Sequence, residues 1–459
     1  MEKRLPKNWV NVSLKDVTKN VKGKKPKIQS EVEFEGSVPY MDIKALEYNE
    51  IRQYADVESS KLFEEGDVGM VWDGARSGWV SKTNLGAIGS TLVAFKPILL
   101  ESNYLFYYLF EKYPFINSNA RGVGIPHVDP TVLWSLDFPL PPLAEQNRIV
   151  AILDSLFAQL EMIKTSMASI PVLLKNFRQQ VLTQAVTGKL TESWRVGKDL
   201  EGWKKCVLLD VINEKPRNGY SPKAVDYETP VKSLSLSATT SGKFNPLHVK
   251  YLDVPIPNEK SHLWLKKNDI LIQRSNSLDY VGTAAVYDGS DFDFIYPDIM
   301  MKIRANDQIL NEYLFYSLSS SMVKKYFKNN ASGTAGNMPK INQETVSNTP
   351  INLPILLEQQ EIVSRVESLF AKADAIEKQY KTLKEKIDAL PQAMLHKAFK
   401  GELVEQLDTD GDARELLKEI EELKSVSTKM SKLKEFNKKS KRSYKETNEV
   451  LGMVAEDKN

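Results

Sequence analysis

Pro141–Glu161 reads PPLAEQNRIVAILDSLFAQLE, and Pro354–Asp374 reads PILLEQQEIVSRVESLFAKAD. Glu145-Gln146 matches Glu358-Gln359 at a displacement of 213 residues. The same displacement carries Ile149 to Ile362, Leu156-Phe157-Ala158 to Leu369-Phe370-Ala371, and Gly188 to Gly401. A weaker echo lies upstream: Trp9, Leu14, Asp16 and Val17 match Trp203, Leu208, Asp210 and Val211 at a displacement of 194. YLFYYL from Tyr104 resembles YLFYSL from Tyr313. The displacement changes between these anchors, so the segments between them differ in length as well as in sequence. The plan is variable module, helix, variable module, helix.

Both helices carry more than an amphipathic stripe. Ile149, Leu153, Leu156, Leu160, Ile163, Met167 and Ile170 follow spacings of four and three, an a/d seam of period 3.5. Ile362, Val366, Leu369, Ala373, Ile376, Tyr380, Leu383, Ile387 and Leu390 keep the same rhythm. Such a seam requires a partner helix. Pro171 and Pro391 are expected to interrupt the two copies, each at the opening turn of a following helix, and Gly188 and Gly401 to end those helices. The first helix leads into module two and the second leaves it, so paired seams run antiparallel.

The expected fold class is therefore α+β: two strand-rich modules separated by an antiparallel pair of long coiled-coil helices, in a pseudo-twofold internal repeat. Boundaries fall at 1–140 and 201–352 for the modules, 141–200 and 353–407 for the helical regions, and 408–459 for a charged C-terminal stretch. That stretch, LLKEIEELK and then KMSKLKEFNKKSKRSYKE, reads as a solvated helix followed by a loosely ordered tail. Ile149 to Ile170 spans about 32 Å as a helix, near the ~34–36 Å of one DNA turn, a match that any short coiled coil produces.

At 459 residues the chain exceeds what one core usually supports, and 42% hydrophobic content is enough for real cores. No apolar stretch approaches the ~20 residues that cross a bilayer. The start, MEKRLPKNWV, has no signal-peptide segment. A soluble cytoplasmic protein with no membrane partner is expected. One cysteine, Cys206, and four histidines supply neither a disulfide nor a zinc cluster. The net charge of +2 gives no case for a polyanionic partner, so that case rests on local features.

One such feature is KGKKPK, with Lys24 and Lys25, which is also what a solvated loop looks like. Module one has strand-like runs VPYMDI, GDVGMVW and GSTLVAFK, then a helix capped by Ser102 or Asn103. Module two has DILIQRS, TAAVYD and IMMKIRA, then a helix with Asn311 as its cap. After this helix each module has a glycine loop, NARGVGIPHVD or NASGTAGNMPKIN. Such loops suit approach to a polar groove and equally suit connection to the next helix. WDGARSGW and QRSNSLDY place Arg76, Ser77, Arg274 and Asn276 in further loops, where an arginine is a guanine reader, a phosphate contact or a routine exposed side chain. With Arg121, Lys340 and Asn342 on the glycine loops, these nine residues are the candidate DNA contacts. No phosphate-cradling loop, H-E-x-x-H or G-x-S-x-G is present, and the chain reads as a recogniser without its own chemistry.

PLPPLAEQNRIVAILDSLFAQLE with AVTGKLTESWR, and LPILLEQQEIVSRVESLFAKAD with AFKGELVE, resemble the specificity subunit of type I restriction-modification systems. LPKNWVNVSLKDV and LEGWKKCVLLDV resemble the starts of that family's target recognition domains, and the resemblance runs to about Leu407. It implies that each module reads one half of a split, asymmetric site in double-stranded DNA. The helical pair would act as a ruler and as a dock for two modification subunits, which use S-adenosylmethionine to methylate adenine. Two restriction subunits would add ATP- and Mg-dependent translocation and cleavage, with no cofactor on this chain and no catalysis of its own. The family's base-reading residues vary with the target, so none is carried over. A two-headed protein-binding scaffold without nucleic acid is the other reading, favoured by the near-neutral charge.

Overall fold

The computed structural model describes residues 5–82, 85–333, 338–426 and 429. The chain forms two compact units: residues 1–165 with 384–459, and residues 166–383. Both changes of unit fall inside helices. The tail after 429 lies outside the described residues.

Unit 1 contains, in chain order, β1 (Val10–Ser13), β2 (Thr18–Lys22), β3 (Val68–Val71), β4 (Val80–Lys82), β5 (Leu92–Pro97), α1 (Ser102–Ser118), β6 (Asp137–Leu140) and α2 (Leu143–Ala168). Its main sheet is antiparallel with order β2-β5-β3-β4. Strand alternation sends Val93 and Phe95 to the core shared with α1, and Leu92 and Ala94 to a second core on the other face. Burial on both faces explains the near-continuous apolar runs. β1 pairs antiparallel with β6, bringing the opening segment to the root of α2.

Unit 2 repeats the plan with α3 (Ile170–Val186), β7 (Lys204–Val207), β8 (Arg217–Asn218), β9 (Ile270–Gln273), β10 (Ala284–Val286), β11 (Met300–Ile303), α4 (Asn311–Ser319), β12 (Pro350–Leu353) and α5 (Leu356–Phe399). The main sheet has order β8-β11-β9-β10, and β7 pairs with β12 as β1 pairs with β6. α5 begins in unit 2 and ends in unit 1.

The repeated Glu-Gln pair explains why these copies are alike. Glu145, fully buried, accepts hydrogen bonds from Trp9 Nε1 (2.9 Å), Asn8 Nδ2 (3.3 Å) and Gln406 Nε2 (3.0 Å). Glu358, also fully buried, accepts from Trp203 Nε1 (2.9 Å) and Thr191 Oγ1 (2.6 Å) and faces Arg195 Nε at 3.4 Å. Gln146 Oε1 accepts from the Glu101 N–H (3.0 Å), and Gln359 Oε1 from the Leu310 N–H (2.7 Å), at the entries to α1 and α4. The expected local caps are therefore corrected. Glu101 caps α1 by accepting from the Tyr104 N–H (2.7 Å), and Leu310, with no capping side chain, precedes α4.

Helix partners also differ from the simplest expectation. In unit 2, Val181, Leu182 and Ala185 of α3 share a core with Ile362 and Val366 of α5, while Arg178 bonds Asp374 (2.6 Å) and Glu377 (2.9 Å) further along. In unit 1, Ile149 and Leu153 of α2 share a core with Leu395, Ala398 and Phe399. There Lys384 and, more weakly, Lys164 hold the Asp388 carboxyl below its usual range. An advance along one helix is a retreat along the other in each unit, so both pairs are antiparallel.

The seam is not continuous. Its leading residues, Ile149, Leu153, Ile362 and Val366, belong to module cores, with Leu369 packed at the edge of one. Leu160, Met167 and Ala373 are buried, Leu156 and Tyr380 are half-buried, and Ile163, Ile376 and Leu383 are 46%, 49% and 48% exposed. One heptad pattern thus records a module core first and a helix partner afterwards. Pro171 lies in the first turn of α3 as expected. Pro391 lies inside the uninterrupted α5: the one bond it removes is outweighed by neighbours that form helix well and by Ile387 and Leu395, buried on either side. Gly188 and Gly401 follow the ends of α3 and α5 with φ of 77° and 68°.

The C-terminal stretch is also corrected. Residues 413–426 are helical, and Ala413 and Ile420 are fully buried in the unit 1 core. The Ala413 N–H donates to Asn8 O (2.9 Å), and Lys424 Nζ donates to Lys15 O (2.8 Å).

Candidate nucleic-acid interface

In unit 1 one end of the main sheet gathers three loops. The Gly23 N–H donates to Leu92 O (3.0 Å), so the KGKK segment leaves β2 beside the start of β5. The Trp72 N–H donates to Thr91 O (2.8 Å), which places the WDGARSGW loop next to it. The glycine loop folds back as a hairpin: Arg121 and His127 exchange backbone bonds of 2.9 and 2.8 Å, and the Gly74 N–H donates to Pro126 O (2.7 Å).

Unit 2 builds the same end. Gly219 leaves β8 and donates to Met300 O (3.3 Å), the Arg274 N–H donates to Ile299 O (2.9 Å), and the Ile341 N–H donates to Arg274 O (2.9 Å). Ser332 and Lys340 exchange two backbone bonds of 2.8 Å. Gly23 and Gly219 are equivalent, each followed by two residues and then Pro-Lys. A Cβ on them would lie 2.1 Å from Gly89 O and 1.9 Å from Tyr296 O, so only glycine fits at either. Likewise Pro126 matches Pro339 and His127 matches Lys340 at the displacement of 213 already seen in the helices. Extending that register upstream would have found the hairpins; short loop sequences hid them.

The candidate contacts divide by what already holds them. Lys24, Lys25 and Lys340 are exposed at these ends. Arg76 Nη1 donates to Glu47 Oε2 (2.8 Å) and its guanidinium lies 4.9 Å from the Trp79 ring centre, so it is pinned and presents one edge. Ser77 is fully buried, so its side chain is not presented at the surface. Arg121 forms an ion pair with Asp129. Burial works against that carboxylate, yet the Thr131 N–H and Arg121 hold it below its usual range.

Arg274 is half-buried, tied by its backbone, and its Nε has no hydrogen-bond partner among the described residues. The Asn276 amide is engaged by Gln273 Oε1 (2.7 Å) and the Ser277 N–H (2.7 Å). Asn342 is exposed and also caps a helix: its Oδ1 accepts from the Thr345 N–H (2.7 Å), as Asp129 Oδ1 accepts from the Thr131 N–H (2.8 Å) in unit 1. In each unit, then, one loop-built end offers cations, glycine turns and a hairpin. Among the described residues no cluster of metal-ligating side chains occurs, and no helix is long and apolar enough to cross a membrane.

Comparison with known proteins gives the class. The family model described as the type I restriction modification DNA specificity domain matches residues 6–171 and again 201–385, and the chain belongs to this family of specificity subunits. The specificity subunit of the type I restriction enzyme EcoKI from Escherichia coli K12 is 34% identical over 293 residues, 63% of each chain. The chain thus matches less than two thirds of that relative's length. The MjaVIII specificity subunit of Methanocaldococcus jannaschii is 27% identical over 80% of this chain and 87% of its own. The EcoDI specificity subunit of Escherichia coli is 29% identical over 88% and 90%.

Two solved structures share the fold at 20% identity. One, from work on complex assembly and conformational transition of the type I R-M system, has a TM-score of 0.63 and covers 87% of this chain and all of its own. The HsdS subunit of Thermoanaerobacter tengcongensis has a TM-score of 0.54 over 88% and 99%.

Proposed function

We propose that this chain reads a split, asymmetric sequence in double-stranded DNA, unit 1 reading one half and unit 2 the other. It directs adenine methylation and cleavage by partner subunits. The observation that carries this reading is the pair of equivalent sheet ends with different furnishings: Lys24-Lys25 beside Arg76 in unit 1, Tyr220-Ser221 beside Arg274 in unit 2. Equal scaffolds with unlike loop side chains suit two readers of unlike sequences. In this reading two modification subunits bring S-adenosylmethionine, two restriction subunits bring ATP and Mg, and the helices set the unread gap. The complex works in the cytoplasm on the cell's DNA. Near-neutral net charge fits if partner subunits carry much of the phosphate contact.

Mapping methylated adenines across the host genome with and without this gene tests the reading. Loss of one gapped motif is expected. An unchanged methylation map, or loss of an ungapped motif, sinks it.

A further inference from the structure

Val123 and Ile125 stand on the unit 1 hairpin, fully exposed and 71% exposed respectively. Isolated exposed apolar residues are ordinary, but this pair stands on a hairpin whose base is braced by backbone hydrogen bonds. Below it the Arg121–His127 backbone exchange, the Gly74–Pro126 bond and a Val128 N–H bond to Trp72 O (2.9 Å) fix the hairpin to the sheet end. Gly122, with φ of 105°, makes the turn that carries the tip outward. Met338, 55% exposed, occupies the position of Ile125 in the other unit, each just before the matched proline. An exposed apolar side chain before the matched proline is thus repeated, as are the Asn-Ala-x-Gly starts of the two loops, while the residues between differ in number and kind.

The surroundings point to the occupant. Lys22, Lys24 and Lys25 leave β2 at the same sheet end, beside the WDGARSGW loop to which the hairpin is bonded. That is a cationic setting suited to phosphates. The polar groups near the tip are largely engaged: Arg76 by Glu47, Arg121 by Asp129, and Asp73 by Lys22 Nζ at 3.0 Å. Beyond the exposed lysines, the side chains that the tip itself presents outward are the apolar Val123 and Ile125. The one base-edge group in the major groove that an apolar side chain distinguishes is the thymine methyl.

We propose that the Val123–Ile125 hairpin tip is an apolar base reader that packs on thymine methyl groups in the half-site read by unit 1. This rests on the DNA-reading function proposed above. The test uses the complex assembled with its methyltransferase subunits and duplexes carrying the recognised site, in which thymines are replaced singly by uracil to delete only the methyl. With the wild-type chain, one or more replacements in one half-site weaken binding roughly three- to tenfold, the scale of one or two buried methyl groups. The Val123→Ser/Ile125→Ser variant binds the thymine duplex weaker by a similar factor and no longer distinguishes uracil there, with recognition of the other half-site and thermal stability unchanged.

Wild-type indifference to every replacement in both half-sites overturns the proposal, as does undiminished discrimination by the variant. Loss of subunit assembly with uracil discrimination retained also overturns it and makes the tip a protein-docking surface. If the wild-type complex prefers no split site at all, the DNA-reading function itself fails, and that is seen before any uracil is introduced.

Discussion

Glu358 is fully buried with two donors and a guanidinium aimed at it. Such a carboxylate ties the turn after α3 and the opening Trp203 to the root of α5, 155 residues beyond Trp203. In Glu358→Gln one oxygen becomes an NH₂ that faces donors, and the charge that strengthened those bonds is gone. The expected cost is about 2–3 kcal/mol, read as a lower melting temperature. Glu145 should behave alike in unit 1. Asp410 supplies a pH-dependent lock. Arg148 Nη2 donates to its Oδ2 (2.7 Å), and this bond leads the causes that depress its carboxyl below the usual range. A depressed folded pKa gives stability that is present in full above the ordinary carboxylate value of ~3.9 and is lost as pH falls through the folded value. Melting temperatures of wild type and Asp410→Asn should therefore differ at neutral pH and converge below about pH 4; a constant difference would assign the effect to packing. The repeat made Glu145 and Glu358 visible as matched letters. Their partners were not legible, because Trp9 lies 136 residues from Glu145 in sequence and only the β1–β6 pairing brings them together.

Elements were legible where one periodicity had one cause. The long helices and the terminal glycines of α3 and α5 could be read from spacing, because i, i+3 and i, i+4 contacts are local. Pro391 misled because proline opposes helix locally while tertiary burial on both sides favours it. The C-terminal helix shows the same limit. Leu416, Leu417, Ile420 and Leu423 lie at helical spacing, but their abundant charged neighbours resemble a solvated helix. Burial of Ile420 in the unit 1 core makes this helix a structural part of that unit. Ile420→Ala should cost about 2–4 kcal/mol and raise hydrogen exchange across residues 9–17, leaving unit 2 amides unaffected. Leu423→Ala, at a side chain 48% exposed, should leave exchange unchanged. Equal effects of the two substitutions would contradict docking through Ile420.

For the whole molecule, the central question is whether helix length sets the distance between the two half-sequences. α2 and the end of α5 run antiparallel in unit 1, with Lys164 beside Asp388, so lengthening one helix alone throws its partner out of register. A heptad placed after Lys164 and another after Ile387 preserve the 3.5-residue repeat on both helices. Seven residues add ~10.5 Å of helix, or roughly three base-pair steps at ~3.4 Å. Mapping of methylated adenines with the doubly extended chain should show a gap wider by about three base pairs flanked by the original half-sequences. A heptad in only one of the two helices should lower the melting temperature and reduce methylation without producing a new gap. An altered half-sequence in the doubly extended chain would mean that the helices shape the readers themselves, and an unchanged gap would move the ruler to the partner subunits.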